Sequence, residues 1–200
     1  MPTLHLFDFD GTLTYKDSSK HFYSLISSPL QYFFCYYVVP VSSIIKYFIF
    51  RGDNFNIKKQ RLRAFVKFCS NSKWEYYLAN SDKYIDLILR KGAIKILKGI
   101  KKNEDNHIII VSAGISIFID KWAIRENIGL ISNEVEIIRM SNYSDIKFKD
   151  DFDCDKIGKV LKIRMKVKLS EYERIIAYGD TPNDFHMFNL ANNFFYKTIT

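Results

Sequence analysis

The sequence predicts an α/β fold in which parallel strands carry the chemistry at their carboxyl ends, with an all-helical insertion early in the chain. Three observations predict it. Short apolar runs at Leu4–Phe7, His107–Val111 and Arg174–Tyr178 have the length and continuity of strands buried on both faces. Each run passes directly into acidic or small residues: Asp8-Phe9-Asp10-Gly11, Ser112-Ala113-Gly114 and Gly179-Asp180. Between the first run and the second, residues 15–90 show helical periodicity and turns.

The first strand sets the site. Asp8 and Asp10 are two residues apart, so on an extended backbone both carboxylates share a face. Gly11 then allows a sharp turn at the strand's carboxyl end, where open α/β sheets place their ligands. Two converging anions call for a cation, and a donor set of oxygens alone favours Mg²⁺, which typically arrives with a phosphate.

The insertion is read as helices. Phe22, Leu25 and Ile26 fall at i, i+3 and i+4 of a helix over Ser18–Ile26, closed by Ser27-Ser28-Pro29. Leu30–Phe50 is apolar nearly all round and long enough to cross a bilayer, but Pro40 and Lys46 lie inside it. It is therefore expected to form two shorter helices meeting near Pro40, as a buried core of the insertion rather than a membrane-surface pair or a span. Tyr32, Phe33, Phe34, Tyr36, Tyr37, Tyr47 and Phe48 offer a substrate few polar groups. A turn is expected at Arg51-Gly52-Asp53-Asn54. A basic helix over Ile57–Cys69 then buries Leu62, Phe65, Val66 and Cys69. Another, capped by Asn71 or Ser72, runs through Ala79, and a further one runs from Asp82 until Gly92 interrupts it. Ala93–Ile100 is amphipathic.

Past the second strand, Ile115, Phe118, Ile119, Trp122 and Ala123 mark a helix face, so Ser112 sits where a hydroxyl and backbone N–H groups can hold phosphate oxygens. Ile128–Met140 reads as a strand pair or an αβ crossover. The acidic run Asp150, Asp151, Asp153, Asp155 has the first three ligand spacings of a calcium loop, but Lys156 replaces its glycine and Lys162 its closing glutamate, so a solvated loop is expected. Ile157, Val160, Leu161 and Met165 define the expected buried stripe of the next helix. After the third strand, Thr181 can cap a helix that begins at Pro182, bringing Asp180 and Asp184 together; Phe185, Met187, Phe188 and Leu190 are read as packing for the closing helix.

Composition bounds the rest. Two hundred residues suffice for one sizeable core and a small second module. A net charge of +8 points to anionic partners, but the lysines are spread along the chain without an aromatic-basic pattern, so no nucleic acid is expected. Cys35, Cys69 and Cys154 form neither a disulfide framework nor a zinc knuckle, which fits a reducing cytoplasm, and Met1 leads straight into the first strand without a signal peptide. His5, His21, His107 and His186 show no ligand spacing.

Asp8-Phe-Asp10-Gly-Thr12, the strand closed by Ser112, a lysine near a helix start, and Gly179-Asp180-x-x-x-Asp184 occur in the order of the four motifs of the haloacid dehalogenase superfamily, which this sequence resembles. The resemblance runs from Leu4 to Asp184 and is nearest the phosphoserine-phosphatase-like branch, subfamily IB. Asp153-Cys154-Asp155-Lys156-Ile157-Gly158-Lys159-Val160 is similar to that branch's Asn-Cys-x-Gly-x-x-Lys-Val, with Lys156 in place of the glycine, and this alignment selects Lys159 over Lys156.

The resemblance implies a three-layer α/β fold with a Rossmann-like parallel sheet, a core of residues 1–14 and 91–200, and a helical type 1 cap over 15–90. It implies Asp8 as nucleophile and Asp10 as general acid and base. Thr12, Ser112, Ala113, Gly114 and Lys159 would hold phosphate, and Mg²⁺ would be bound by Asp8, the Asp10 carbonyl, Asp180 and Asp184. The expected activity is hydrolysis of a small soluble phosphomonoester in the cytoplasm. A membrane-associated lipid phosphatase, phosphatidylglycerophosphatase-like, is the alternative, with residues 30–67 contacting the inner face of the membrane; a non-catalytic membrane-associated interaction protein is a further one.

Overall fold

A computed structural model of the chain describes residues 2–42, 56–139, 144–149 and 152–199. Its centre is a five-stranded sheet of order β3-β2-β1-β6-β7, made of β1 (Thr3–Phe7), β2 (Asn106–Ile115), β3 (Gly129–Asn133), β6 (Arg174–Gly179) and β7 (Asn193–Tyr196). All four pairings are parallel. The three apolar runs expected as buried strands are the three middle strands. β1 is buried on both faces, which accounts for its apolar residues: Leu4 and Leu6 face Val111, Ile163 and Met187, while Phe7 faces the core of Phe9, Phe118 and Trp122. Phe7 stacks on Tyr178 of β6 at 4.1 Å, and Tyr178 in turn on Phe195 of β7 at 5.1 Å.

Helices cover both faces. α6 (Lys91–Ile100) and α7 (Ser116–Arg125) pack on one side; α8 (Ile157–Lys166) and the short α9 (Phe185–Phe188) pack on the other. The second half of the Ile128–Met140 stretch leaves the main sheet: β4 (Val135–Arg139) pairs antiparallel with β5 (Ser144–Phe148) as a separate ribbon.

Between β1 and α6 lie α1 (Ser18–Ile26), α2 (Pro29–Phe33), α3 (Ile57–Phe68), α4 (Asn71–Ala79) and α5 (Ser81–Asp86). The chain leaves and re-enters the sheet layer through a paired neck. Thr14 bridges Leu89, the Tyr15 N–H donates to the Ile88 carbonyl at 2.9 Å, and the Arg90 N–H donates to the Leu13 carbonyl at 2.9 Å.

Several expectations need correction. Helical backbone does not break at Pro40 but runs through it to Ser42, by way of a π-helical turn over Phe34–Val38. Pro40 has no N–H for the Tyr36 carbonyl four residues back, and Arg61 Nε from α3 donates to that carbonyl instead, at 3.1 Å. This helix is not a buried core all round: Cys35 and Tyr36 are buried, whereas Leu30 is 79% and Phe33 56% exposed. Ser43, Lys46, Tyr47, Phe48 and the Arg51–Asn54 turn lie outside the described residues, as do Asp150 and Asp151 of the acidic run.

The helix expected to reach Gly92 ends at Asp86, and Gly92 sits in the first turn of α6. On α8 only Val160 of the expected stripe is buried; Ile157, Leu161 and Met165 are exposed, and the inward face holds Ile163 with Lys159 and Lys162. Both lysines have oxygen acceptors inside, which is what makes their burial tolerable: Lys162 Nζ donates to the Ser132 carbonyl at 2.9 Å. Phe185, expected as packing, is 47% exposed.

Candidate active site

The carboxyl ends of β1, β2 and β6 converge on a cleft of about 340 Å³, lined on the sheet side by Asp8, Asp10, Ser112 and Lys159. Asp8 is buried just past the end of β1, its backbone N–H held by the Tyr178 carbonyl. Gly11 makes the turn with φ +89, a conformation glycine adopts without a steric penalty, and a Cβ there would meet Asp180 Oδ2 at 2.4 Å.

Lys159 is the electrostatic centre. Its Nζ lies 2.5 Å from Asp8 Oδ1 and 2.6 Å from Asp184 Oδ1, and the side chain is 2% exposed. Burial penalises the ammonium, but the charges of Asp8 and Asp184 outweigh it and hold its pKa above the ordinary value. For Asp8, burial raises the carboxyl to about 6 against the pull of Lys159. Asp10 is pushed up to about 7, first by burial and then by the charge of Asp17, while its bond to the Ser18 N–H pulls the other way. Asp10 Oδ1 accepts the Ser18 N–H at 2.7 Å and Oδ2 the Ser18 hydroxyl at 3.2 Å, so its carboxylate is held by the first residue of α1.

Asp184 has both oxygens engaged. Oδ1 faces Lys159, and Oδ2 accepts the backbone N–H groups of Asp180 and Thr181 and the Thr181 hydroxyl. The helix start at Thr181-Pro182 read from the sequence is present, and Thr181 and Asp184 form a capping box there that holds Asp184 toward Lys159. Asp8, Asp180 and Asp184 each offer an oxygen within 4.8 Å of the others, a hard, all-oxygen donor set that suits Mg²⁺. Among the three, Asp180 has the least crowded carboxylate: Oδ1 accepts the Thr12 hydroxyl at 3.0 Å. Thr12, expected at the phosphate, directs its hydroxyl instead at Asp8 and Asp180.

Ser112 is buried at a bulge where β2 shifts register between Val111 and Ile115. Its Oγ accepts the Gly114 N–H at 2.9 Å, which leaves the hydroxyl proton to donate. Ala113 and Gly114 line the cleft, and the Ala113 carbonyl accepts from Asn133 Nδ2 at 2.8 Å and Lys58 Nζ at 3.1 Å. Lys156, the rival of Lys159, is exposed at φ +49 just ahead of α8, the position where the related pattern has glycine. Gly158 lies against backbone: a Cβ there would stand 1.9 Å from the Asp153 carbonyl oxygen.

The inserted helices supply the opposite wall, and no sequence motif marked it. Lys20, Tyr23, Tyr36, Lys58 and Arg61 line the cleft together with Asp17. Lys58 and Arg61 belong to the basic helix that the alternative, membrane-associated reading would turn toward lipid, and both turn inward. Arg61 is fixed by the Tyr36 carbonyl and by the Tyr36 ring, whose centroid is 3.8 Å from its guanidinium. The one legible signal was the density of cations on α3, which says nothing of which face turns in.

Comparison with known proteins agrees with this geometry. The family model for haloacid dehalogenase-like hydrolases matches residues 5–189. Protein CicA of Caulobacter vibrioides is 26% identical over 200 residues, covering 98% of this chain and 86% of that protein. A protein of unknown function from Bordetella pertussis Tohama I has a similar structure, with a TM-score of 0.69, 16% identity, and coverage of 97% of this chain and 89% of that one. So does a phosphoserine phosphohydrolase-like protein from Francisella tularensis, with a TM-score of 0.62, 23% identity, and coverage of 97% and 86%. At these identities the two structural likenesses establish the fold.

Proposed function

Because the chain belongs to the haloacid dehalogenase-like hydrolase family, we propose that it is a phosphatase that hydrolyses a phosphomonoester through an aspartyl-phosphate on Asp8. The observation that carries this reading is the buried Lys159 ammonium shared by Asp8 and Asp184 beside a second cleft-facing carboxylate, Asp10. In the first step an Asp8 oxygen bonds to phosphorus and the ester P–O bond breaks, while Asp10 gives its proton to the departing oxygen. In the second, Asp10 takes a proton from water, the water oxygen bonds to phosphorus, and the acyl phosphate breaks to regenerate the Asp8 carboxylate. A pKa near 7 suits a group that must serve as both acid and base at neutral pH.

Lys159 neutralises the nucleophile and the phosphoryl oxygens, and the Ser112 hydroxyl with the backbone of Ala113 and Gly114 holds the rest. Mg²⁺, when bound, would supply charge neutralisation between nucleophile and phosphate. Asp8, Asp180 and the Asp10 carbonyl are the groups that would hold it. Asp184, already saturated with donors, orients Lys159 and the Asp180 loop. Residues 1–14 and 91–200 form the catalytic core in this reading, and 15–90 the cap.

The cations Lys20, Lys58 and Arg61 opposite Asp8 support a small soluble substrate that carries a second anionic group. Cys35, Cys69 and Cys154 are buried and in no disulfide, which suits a reducing cytoplasm. The test is turnover of an aryl phosphate by purified protein, with and without a chelator, alongside trapping of a hydroxylamine-labile phosphoryl label. Loss of both signals in Asp8→Asn is expected. Full turnover by that variant would refute the nucleophile.

A further inference from the structure

We propose that the outer face of the helix beginning at Pro29 is a docking surface for an anionic lipid bilayer. Leu30, Phe33, Phe34, Tyr37, Val38 and Val41 follow one another at helical spacing, and each is 40% or more exposed. The opposite side of the same helix is spent on the protein: Cys35 and Tyr36 are buried, Tyr36 against Arg61. The exposed face does not end at the helix, because Phe34 meets the ring of Phe68 from α3 at 5.4 Å, and Phe68 is itself 44% exposed. A stripe of aromatic and aliphatic groups of this size has no reason to stay in water.

Charge decides what covers it. From Ser18 to Trp74 the sequence holds nine Lys and Arg residues and a single acidic one, Asp53. One of the cations stands at the edge of the stripe: Lys67 Nζ lies 5.5 Å from the Phe68 ring. Lys73, also exposed, follows about one turn of chain after Cys69, the neighbour of Phe68 in sequence. A second copy of the chain would bring one cationic rim against another. An anionic bilayer satisfies both halves at once, with rings and aliphatic groups entering the headgroup boundary and the lysines meeting lipid phosphates. Among the described residues no helix is long and apolar enough to cross a membrane, so the contact is one of lying on the surface. Tyr36, on the buried side of this helix, lines the cleft, and none of the exposed stripe residues does.

Sedimentation with vesicles tests this, and its signal is separate from the phosphatase reading. Wild-type protein is expected to pellet with phosphatidylcholine vesicles containing phosphatidylglycerol, not with pure phosphatidylcholine, and less as salt rises. Leu30→Ser/Phe33→Ser/Val41→Ser should weaken binding at least about tenfold while aryl-phosphate turnover is kept, because lost apolar area is lost affinity. Lys67→Glu/Lys73→Glu, which leaves the apolar face intact, should weaken it about as much and serves if the triple variant fails to fold. Absence of wild-type binding, or undiminished binding by the charge-reversed protein, overturns the proposal. So does a wild-type dimer in analytical ultracentrifugation that the triple variant turns into monomer.

Discussion

Lys159 Nζ stands 2.6 Å from Asp184 Oδ1, and since Asp184 also accepts the Asp180 and Thr181 N–H groups, the lysine of α8 is braced by the loop after β6. Removing that ammonium leaves Asp8 and Asp184 as two buried carboxylates without their counter-ion. Lys159→Ala is therefore expected to lower kcat/KM by about a hundredfold or more. The exposed Lys156→Ala should change it little. A larger loss at Lys156 in parallel assays would reverse the assignment.

Lys156 has a different part, in the backbone. A lysine at φ +49 and ψ −121 occupies a region that glycine enters freely. Lys156→Gly is expected to stabilise the fold by about 1 kcal/mol through relief of that strain, read from the urea midpoint at constant m value. An unchanged or lowered midpoint would show that the strain is relieved elsewhere.

The raised carboxyl groups make stability depend on pH. Folded Asp10 titrates near 7 and Asp8 near 6, both above an unfolded carboxyl, so between those values and about 4 the folded chain binds more protons than the unfolded one. Stability of chelator-treated protein should fall as pH rises through this window, each group adding a slope of at most about 1.4 kcal/mol per unit. Subtracting the profile of Asp10→Asn isolates its share and removes the opposing histidine contributions. Identical slopes for the two proteins would contradict the raised Asp10.

Gly11 is expected to accept no side chain. An alanine Cβ would lie 2.4 Å from Asp180 Oδ2 at a φ of +89, so Gly11→Ala must displace the carboxylate proposed to bind the metal. A sharply higher Mg²⁺ requirement, measured by titrating the ion against turnover, is the expected result.

Arg61 is placed by an unusual backbone, and substrates should report it. If its guanidinium meets a second anionic group, Arg61→Met raises KM at least about tenfold for phosphoesters that carry one and leaves an aryl phosphate without one unaffected. Pro40→Ala returns an N–H to the Tyr36 carbonyl and should reproduce part of the same split. Equal effects on both substrate types would place Arg61 in the architecture alone.

What the sequence disclosed followed from whether a residue's partners are local. Asp8, Asp10 and Gly11 are neighbours in the chain, as are Thr181 and Asp184, and local strand and cap geometry places each group. Ser112 is legible as the small residue after the apolar run of β2, though the strand runs on past it, through a bulge, to Ile115. Lys159 needed a family pattern, because burying a lysine depends on carboxylates 25 and 151 residues away. The same blindness misplaced much of the stripe of α8, where hydrophobic spacing nominated Ile157 and Met165 beside the buried Val160, while the interior also held Lys159 and Lys162. Pro40 was taken for a helix break because nothing near it announces that Arg61 will cap the orphaned carbonyl. The cap wall was missed for a related reason: each turn of α3 carries cations all round, and packing alone selects Lys58 and Arg61 as the inward pair.

The grip of Ser18 on Asp10 makes proton transfer and the seating of α1 two sides of one equilibrium. The charged carboxylate accepts the Ser18 N–H and hydroxyl more strongly than the neutral acid does. A proton arriving on Asp10 therefore loosens the first turn of α1, and by reciprocity a shift of α1 alters the proton affinity of Asp10. In the proposed reaction Asp10 gives up and regains a proton in each turnover, and the inserted helices would then feel its progress through that contact. On that proposal their hold on the core would slacken when the acid is neutral, before leaving-group departure and again after water attack, and would tighten while a phosphoryl group rests on Asp8.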